Sequence, residues 1–127
     1  DESKKIAGLV HVMLPDSSLA KSGRLNDAKY ADTAIKKLVN DLVNRGAQLS
    51  SLKAKIAGGA QMFQFSSTSD IMRIGPRNVE AVKRELAASR IKVIAEDVGG
   101  NNGRTIEFNP KTAILSIRTV NKGTKEL

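Results

Sequence analysis

The hydrophobic and polar positions of the chain divide it into short apolar runs and longer amphipathic stretches. Residues 6–14 (IAGLVHVML) form a near-continuous apolar run rich in β-branched side chains. Such a run is typical of a strand that is buried on both faces. Pro15 ends it, because proline cannot donate a hydrogen bond to a strand ladder. The polar residues 16–29 that follow are predicted to form a loop.

Two later stretches carry apolar residues at helical spacing. Residues 30–44 predict a helix, since their apolar positions repeat at intervals of three and four. Its buried stripe consists of Ile35, Leu38, Val39, Leu42 and Val43. Asn26 or Asp27 is predicted to cap its start, and Gly46 lies where a C-terminal cap glycine belongs.

A second helix is predicted over residues 76–89. Pro76 suits a first helical turn, because its missing N–H has no partner there in any case. The inner face of this helix is formed by Val79, Val82 and Leu86.

The remaining pattern indicates strands and turns. Four strands are predicted, at residues 52–57, 91–97, 104–108 and 113–118. Residues 64–70 indicate a polar loop, and the tail 119–127 is expected to fray. Together with the strand at 6–14, the order of elements predicts one α/β domain over residues 1–127, with a mixed sheet and an antiparallel hairpin at its end.

Composition narrows the classes of chemistry. The 127 residues carry a net charge of +8, which indicates a basic surface or an acidic partner. Aromatic residues make up only 3% of the chain, so few side chains are available to stack on nucleic-acid bases. The absence of cysteine excludes disulfides and thiolate metal sites within this chain. No run reaches the roughly 20 apolar residues of a membrane span, and we expect a cytoplasmic protein without metal or cofactor.

The single histidine, His11, is the first candidate for chemistry. Imidazole can exchange a proton near neutral pH. A lone histidine in an apolar strand is nevertheless more often a hydrogen-bonded structural residue, and both interpretations stay open on the residues alone.

The other polar groups are weaker candidates for a catalytic or binding role. Gly58–Gly59 and Gly99–Gly100 could hold an anion, but their spacing fits no phosphate-binding motif and favours simple turns. Glu96 and Asp97 point to opposite faces of a strand and cannot act as an acid–base pair. Asp97 can instead hold the glycine-rich turn at residues 99–103 in place. The arginines Arg73, Arg77 and Arg104 are scattered, which favours solvation or local pairing over a binding patch.

Five segments in order resemble one family. They read GLVHVMLPDS (8–17), KYADTAIKKLV (29–39), KIAGGAQMF (55–63), IGPRNVEAVKREL (74–86) and AEDVGGNNGRTIEF (95–108). They resemble the CheD family of chemoreceptor glutamine deamidases over about residues 6–118. The resemblance implies a layered α/β/β/α sandwich similar to the deamidase domain of cytotoxic necrotizing factor toxins.

The resemblance also implies an activity and its partners. CheD proteins hydrolyse selected chemoreceptor glutamine amides to glutamate, releasing ammonia through a Cys–His thioester route. The family's histidine lies in an H-x-M-L-P motif, which here is His11 to Pro15, so His11 is expected to be catalytic. The implied partners are chemoreceptors and the chemotaxis phosphatase CheC, without nucleic acid and without membrane insertion.

One departure from the family pattern changes the expectation for this chain. The family's nucleophilic cysteine and a supporting threonine would fall before residue 1, and the chain has no cysteine. We therefore expect the 127 residues alone to be inactive. A non-catalytic adaptor that binds receptor or CheC is the alternative function, and a basic nucleic-acid-binding module is a third.

Overall fold

The computed structural model describes residues 1–20, 26–62 and 73–127. Within these ranges lie two α-helices, two short 3-10 helices and five strands. The helices are α1 (Ala31–Asn44) and α2 (Ile74–Ala88), and the 3-10 helices are Ser17–Leu19 and Leu49–Ser51. The strands are β1 (Lys53–Gly58), β2 (Lys92–Val98), β3 (Arg104–Asn109), β4 (Ile114–Thr119) and β5 (Gly123–Glu126).

The α/β class is confirmed, but the strands form two sheets and not the single mixed sheet that the sequence predicts. β1 pairs with β2 in parallel, whereas β3, β4 and β5 form an antiparallel sheet in that order. The glycine turn between β2 and β3 accounts for the separation. Gly99 and Gly100 have φ angles of 83° and 72°, in the left-handed region that glycine adopts freely. The chain therefore changes direction after β2 and begins a new sheet.

The main hydrophobic core lies where α1, α2 and the parallel strands meet. Its buried members are Ile35, Ala47, Leu52, Leu86 and Ile91. Half-buried apolar residues from both helices and both strands pack around them, together with Ile6 and Val10 of the N-terminal segment. This burial is the dominant favourable term for the fold, and it fixes α2 against the segment that contains His11.

Lys55 connects the two sheets. Its ammonium donates to the backbone carbonyl oxygen of Ala113 and to that of Leu127, the latter at 2.7 Å. A charged donor forms stronger hydrogen bonds than a neutral one. This half-buried lysine of β1 therefore holds the residue just before β4 and the residue just after β5.

Helix α1 confirms the helix predicted at residues 30–44, with a different cap. Gly46 has a φ of +107°, and the Ala47 amide donates to the Leu42 carbonyl at 3.0 Å, so the predicted glycine C-cap is confirmed. The predicted N-cap is wrong. Tyr30 occupies that position without a side-chain cap, while the Asn26 side chain accepts a hydrogen bond from the Ala28 amide in a local turn.

Helix α2 begins two residues before the predicted start, at Ile74, so that Pro76 still lies in its first turn. The backbone of this turn closely approaches the chain that follows β1. A Cβ atom built on Gly75 would lie 2.5 Å from the Gly59 carbonyl oxygen and 2.7 Å from that of Ala60. A glycine at position 75 is therefore required by packing, although glycine is a poor helix former.

Two predictions about the ends of the chain are wrong. Residues 6–14 form no named strand, and only an isolated bridge joins Leu14 to Tyr30. The tail was expected to fray, but residues 123–126 form β5, because the backbone of β4 offers them a ladder that needs no apolar side chains. The predicted loop at 64–70 and part of the loop at 16–29 lie outside the described residues.

We predict that Gly75→Ala destabilises the protein although alanine is the better helix former. The added Cβ meets backbone oxygens that cannot move independently, and overpacking of this kind costs about 1–3 kcal/mol. Thermal or urea unfolding measures the effect. Gly103→Ala is the matched control, since its Cβ would meet only the flexible Met62 sulfur at 3.5 Å. An unchanged or raised stability of Gly75→Ala would contradict the close approach of the two backbones.

Candidate active site

His11 lies on an extended segment whose residues alternate between exposed and half-buried. Leu9 and Met13 are 65% and 56% exposed, and His11 between them is exposed as well. Val10, Val12 and Leu14 are half-buried on the other side. The prediction of a strand buried on both faces is thus wrong, because the core and α1 cover one side only. The imidazole is accessible to a substrate.

Helix α1 supports the start of this segment. A Cβ atom on Gly8 would lie 2.6 Å from Leu38 Cδ1 and 3.3 Å from Leu42 Cδ2. The backbone at Gly8 therefore lies directly on the apolar face of α1. This contact explains why the half-buried residues of the segment face the core while its alternate residues, His11 among them, face outward.

Backbone hydrogen bonds hold the end of the segment. The Met13 and Leu14 amides both donate to the Lys29 carbonyl, at 2.9 and 3.0 Å. The Ala31 amide donates to the Leu14 carbonyl at 2.9 Å, which ties the segment to the first residue of α1. His11 thus lies between a packed stretch and a hydrogen-bonded stretch, so the path of its backbone is restricted.

A contact from α2 completes this support. Asn78 Nδ2 donates to the Met13 carbonyl oxygen at 3.1 Å, across 65 positions of sequence. Sequence reasoning missed Asn78. The available signal was an asparagine within an amphipathic helical stretch, where its low helix propensity is unfavourable.

The ends of β1 and β2 are joined to the glycine turn. The Gly99 amide donates to the Gly58 carbonyl at 2.9 Å, and the Gln61 amide donates to the Gly100 carbonyl at 2.9 Å. Gly99 and Gly100 lie at a bend between β2 and β3, as their spacing favoured, whereas Gly58 is the last residue of β1 and Gly58–Gly59 form no turn. The start of α2 lies against this region through Gly75, so the carboxyl ends of the parallel strands and the N-terminus of α2 share one side of the molecule.

Arg104 fixes the glycine turn from within. Its side chain is only 9% exposed and donates to the Asp97 carboxylate, to the Gly99 carbonyl at 2.9 Å and to the Gly58 carbonyl at 3.3 Å. Lys125 Nζ lies 3.4 Å from the same carboxylate. Burial alone would raise the pKa of Asp97, but the hydrogen bonds and charges of Arg104 and Lys125 outweigh it and lower that pKa below its ordinary value.

The other candidate groups are separated from one another. Glu96 pairs with Lys83 of α2 at 2.8 Å, whereas Asp97 pairs with Arg104, so the two carboxylates serve different contacts as their opposite directions predicted. Arg73 is exposed and Arg77 half-buried, and local pairing is confirmed for Arg104. Beside Arg104, a cavity of about 300 Å³ is lined by the glycine turn together with Lys122 and Lys125.

In the described part of the chain, no group of three or more acidic or histidine side chains could hold a metal ion. Neither helix in the described ranges has the length and apolar character needed to cross a membrane.

We predict that Asp97→Asn lowers the free energy of unfolding by an amount that depends on pH. The lowered pKa means that ionised Asp97 stabilises the fold at neutral pH, and that this contribution is lost as the pH falls below about 3.8. We expect a loss of about 1–3 kcal/mol at pH 7, the range for hydrogen bonds to charged groups, and a difference that decreases as the pH is lowered towards 3. Unfolding measured across this range tests it. The control is Asp41→Asn, whose Lys37 pair is 57% and 55% exposed and contributes little. Equal effects of the two substitutions would contradict the role of Asp97.

Comparison with known proteins identifies the family. The profile of the family described as "CheD chemotactic sensory transduction" matches residues 13–119. The chain is 61% identical, over all of its 127 residues and 78% of the relative, to the chemoreceptor glutamine deamidase CheD of Halalkalibacterium halodurans. It is 55% identical over its whole length, and over 76% of the relative, to the protein of the same name from Bacillus subtilis. A probable chemoreceptor glutamine deamidase CheD from Geobacillus kaustophilus is 57% identical over the whole chain and 78% of the relative. The resemblance read from the five segments is confirmed, and the chain belongs to the CheD family.

Proposed function

We propose that this chain contains the histidine-bearing part of a protein-glutamine deamidase that acts on chemoreceptors. Relatives that are 55–61% identical over the whole chain are named for this activity. The observation that carries the proposal is the exposed imidazole of His11, on a segment supported by α1 on one side of it and by Asn78 and Lys29 on the other.

The first step of the proposed reaction is acyl transfer. A cysteine thiolate attacks the carbonyl carbon of the glutamine side chain, and a sulfur–carbon bond forms. His11 holds the proton taken from the thiol and passes it to the amide nitrogen, the carbon–nitrogen bond breaks, and ammonia leaves. A thioester remains on the cysteine.

The second step is hydrolysis of that thioester. His11 removes a proton from water, the water oxygen attacks the thioester carbon, and the carbon–sulfur bond breaks. The products are the receptor glutamate and the free thiol. Backbone N–H groups have to stabilise the oxyanion in both steps.

The nucleophile in this proposal comes from outside residues 1–127, because the chain has no cysteine. We propose that it lies in the segment that precedes Asp1, with the supporting threonine, as in the family pattern. The exposed side of the His11 segment, formed by Leu9, His11 and Met13, is free to receive such a segment within the described structure.

The wider fold and partners are part of the same proposal. We place the two sheets and two helices in a four-layer α/β/β/α sandwich like that of the toxin deamidase domains. The protein would act in the cytoplasm, where it meets chemoreceptors and the phosphatase CheC, and would require no metal or cofactor.

A binding role is the second candidate. The lack of a cysteine in the 127 residues favours a non-catalytic adaptor for receptor or CheC if no nucleophile is joined to this chain. Comparing ammonia release by the 127 residues alone with release by a protein that carries the upstream segment separates the two functions. Release by the cysteine-free chain would contradict the thioester mechanism.

The protein that carries the upstream segment together with residues 1–127 is called the longer protein below. We predict that His11→Gln in the longer protein lowers the rate of deamidation of a receptor fragment by about 10²–10⁴-fold, the usual contribution of a general acid–base group. Because His11 is exposed, the melting temperature should stay close to that of the unchanged protein. Ammonia release, together with the 1 Da mass gain of the receptor peptide, measures the activity.

Lys36→Gln is the control for His11→Gln, since it places the same residue at an exposed position of α1. We expect full activity from this control. Activity of His11→Gln within about tenfold of the unchanged protein would rule out His11 as the acid–base group.

A further inference from the structure

Asn78 has one polar atom with a clear partner and one without. Its Nδ2 donates to the Met13 carbonyl oxygen at 3.1 Å. Its Oδ1 is shielded from solvent and has no hydrogen-bond partner within the described residues. The reverse orientation of the amide would place two carbonyl oxygens against each other, so the hydrogen bond itself assigns which atom faces Met13.

This arrangement is unfavourable for stability. A buried acceptor without a partner loses its hydration and receives nothing in exchange. Asparagine inside a helix is also a poor choice on propensity. The hydrogen bond between Asn78 and Met13 is exposed to solvent, so water competes for its donor and its acceptor. This bond therefore contributes little to folding that water could not supply.

The same bond has a clear effect on position. Met13 follows His11 by two residues, and its amide is already held by the Lys29 carbonyl. Because Asn78 binds the Met13 carbonyl, both backbone polar groups of Met13 have partners. The chain before α1 binds its amide, and α2 binds its carbonyl. Rotation of the backbone next to His11 would break one of these two hydrogen bonds.

We propose that Asn78 is a positioning residue, which fixes the orientation of His11 through the Met13 carbonyl at the expense of an unpaired buried oxygen. The inference rests on the proposed role of His11 in deamidation. Polar groups that reduce stability and are not needed to hold the fold together are expected near functional sites. The role requires a donor at position 78 and not merely a side chain of this size.

Two substitutions in the longer protein separate positioning from packing. Asn78→Leu keeps the approximate shape and removes both polar atoms, so the unpaired oxygen disappears with the donor. Asn78→Asp keeps the shape and the Oδ1 oxygen but replaces the Nδ2 donor with a second oxygen, which cannot donate when the carboxylate is ionised. Asn40→Leu is the control, because Asn40 is exposed on α1.

The position of His11 can be followed directly by NMR. His11 is the only histidine in the 127 residues, and its imidazole signals can be assigned by their loss in His11→Gln. We expect both Asn78 variants to change the chemical shifts of the His11 imidazole, with no change in Asn40→Leu. This measurement needs no activity.

Kinetics and melting complete the test. We expect kcat for receptor deamidation to fall about 10- to 100-fold in both variants, as for a misplaced catalytic group, with KM little changed. The melting temperature of Asn78→Leu should stay within about 2 °C of the unchanged protein or rise.

Two results would overturn the proposal. One is an unchanged His11 spectrum with a clearly lowered melting temperature, which would make Asn78 a structural residue. The other is an unchanged spectrum with unchanged kcat. A changed spectrum in Asn78→Leu, combined with an active His11→Gln, would support the placement by Asn78 and contradict the proposed function of His11, so the two failures are distinguishable.

Discussion

The buried guanidinium of Arg104 joins the end of β2 and the glycine turn, five to seven residues before it in sequence, to the end of β1, which lies 46 residues before it. It binds the carboxylate at the end of β2, a carbonyl of the glycine turn and the last carbonyl of β1. An arginine can do this because its planar fork carries five donors in a fixed geometry and stays charged. Without Asp97 the same cation would keep its two carbonyl partners but would be buried without a counter-charge, which is costly. The turn between the two sheets, and with it the placement of the antiparallel sheet, depends on this pair.

The carboxyl ends of the parallel strands come close to α2 because glycine occupies both sides of the contact. Gly59 and Gly75 allow two backbones to approach where any side chain would clash. This close packing sets the position of the first turns of α2, and therefore of Asn78. The contact from Asn78 to Met13 thus depends on two glycines that lie 48 and 64 residues after His11 in the sequence.

The segment that contains His11 shows how packing on a single side leaves the candidate imidazole exposed. Its half-buried residues contribute to the core, and its alternate residues face outward. The period of two is that of an extended chain, although the segment forms no named strand. A histidine in such a place is held by its neighbours while its ring stays accessible, which suits proton transfer better than full burial would.

Local features of the sequence were enough to find α1, α2 and strands β1 to β4 to within a few residues, since periodicity, Pro76 and Gly46 act within one element. The five ordered segments also identified the family and His11. Other features depended on distant partners. The exposure of His11, the pairing of β5, the separation of the two sheets and the contact from Asn78 to Met13 are all set by which surfaces meet after folding. An apolar run does not reveal how many of its sides are covered, and a polar tail does not reveal that a neighbouring strand offers it hydrogen bonds. The sequence by itself determined the two helices, strands β1 to β4 and the candidate group, while the tertiary structure decided what supports that group and which side of it is open.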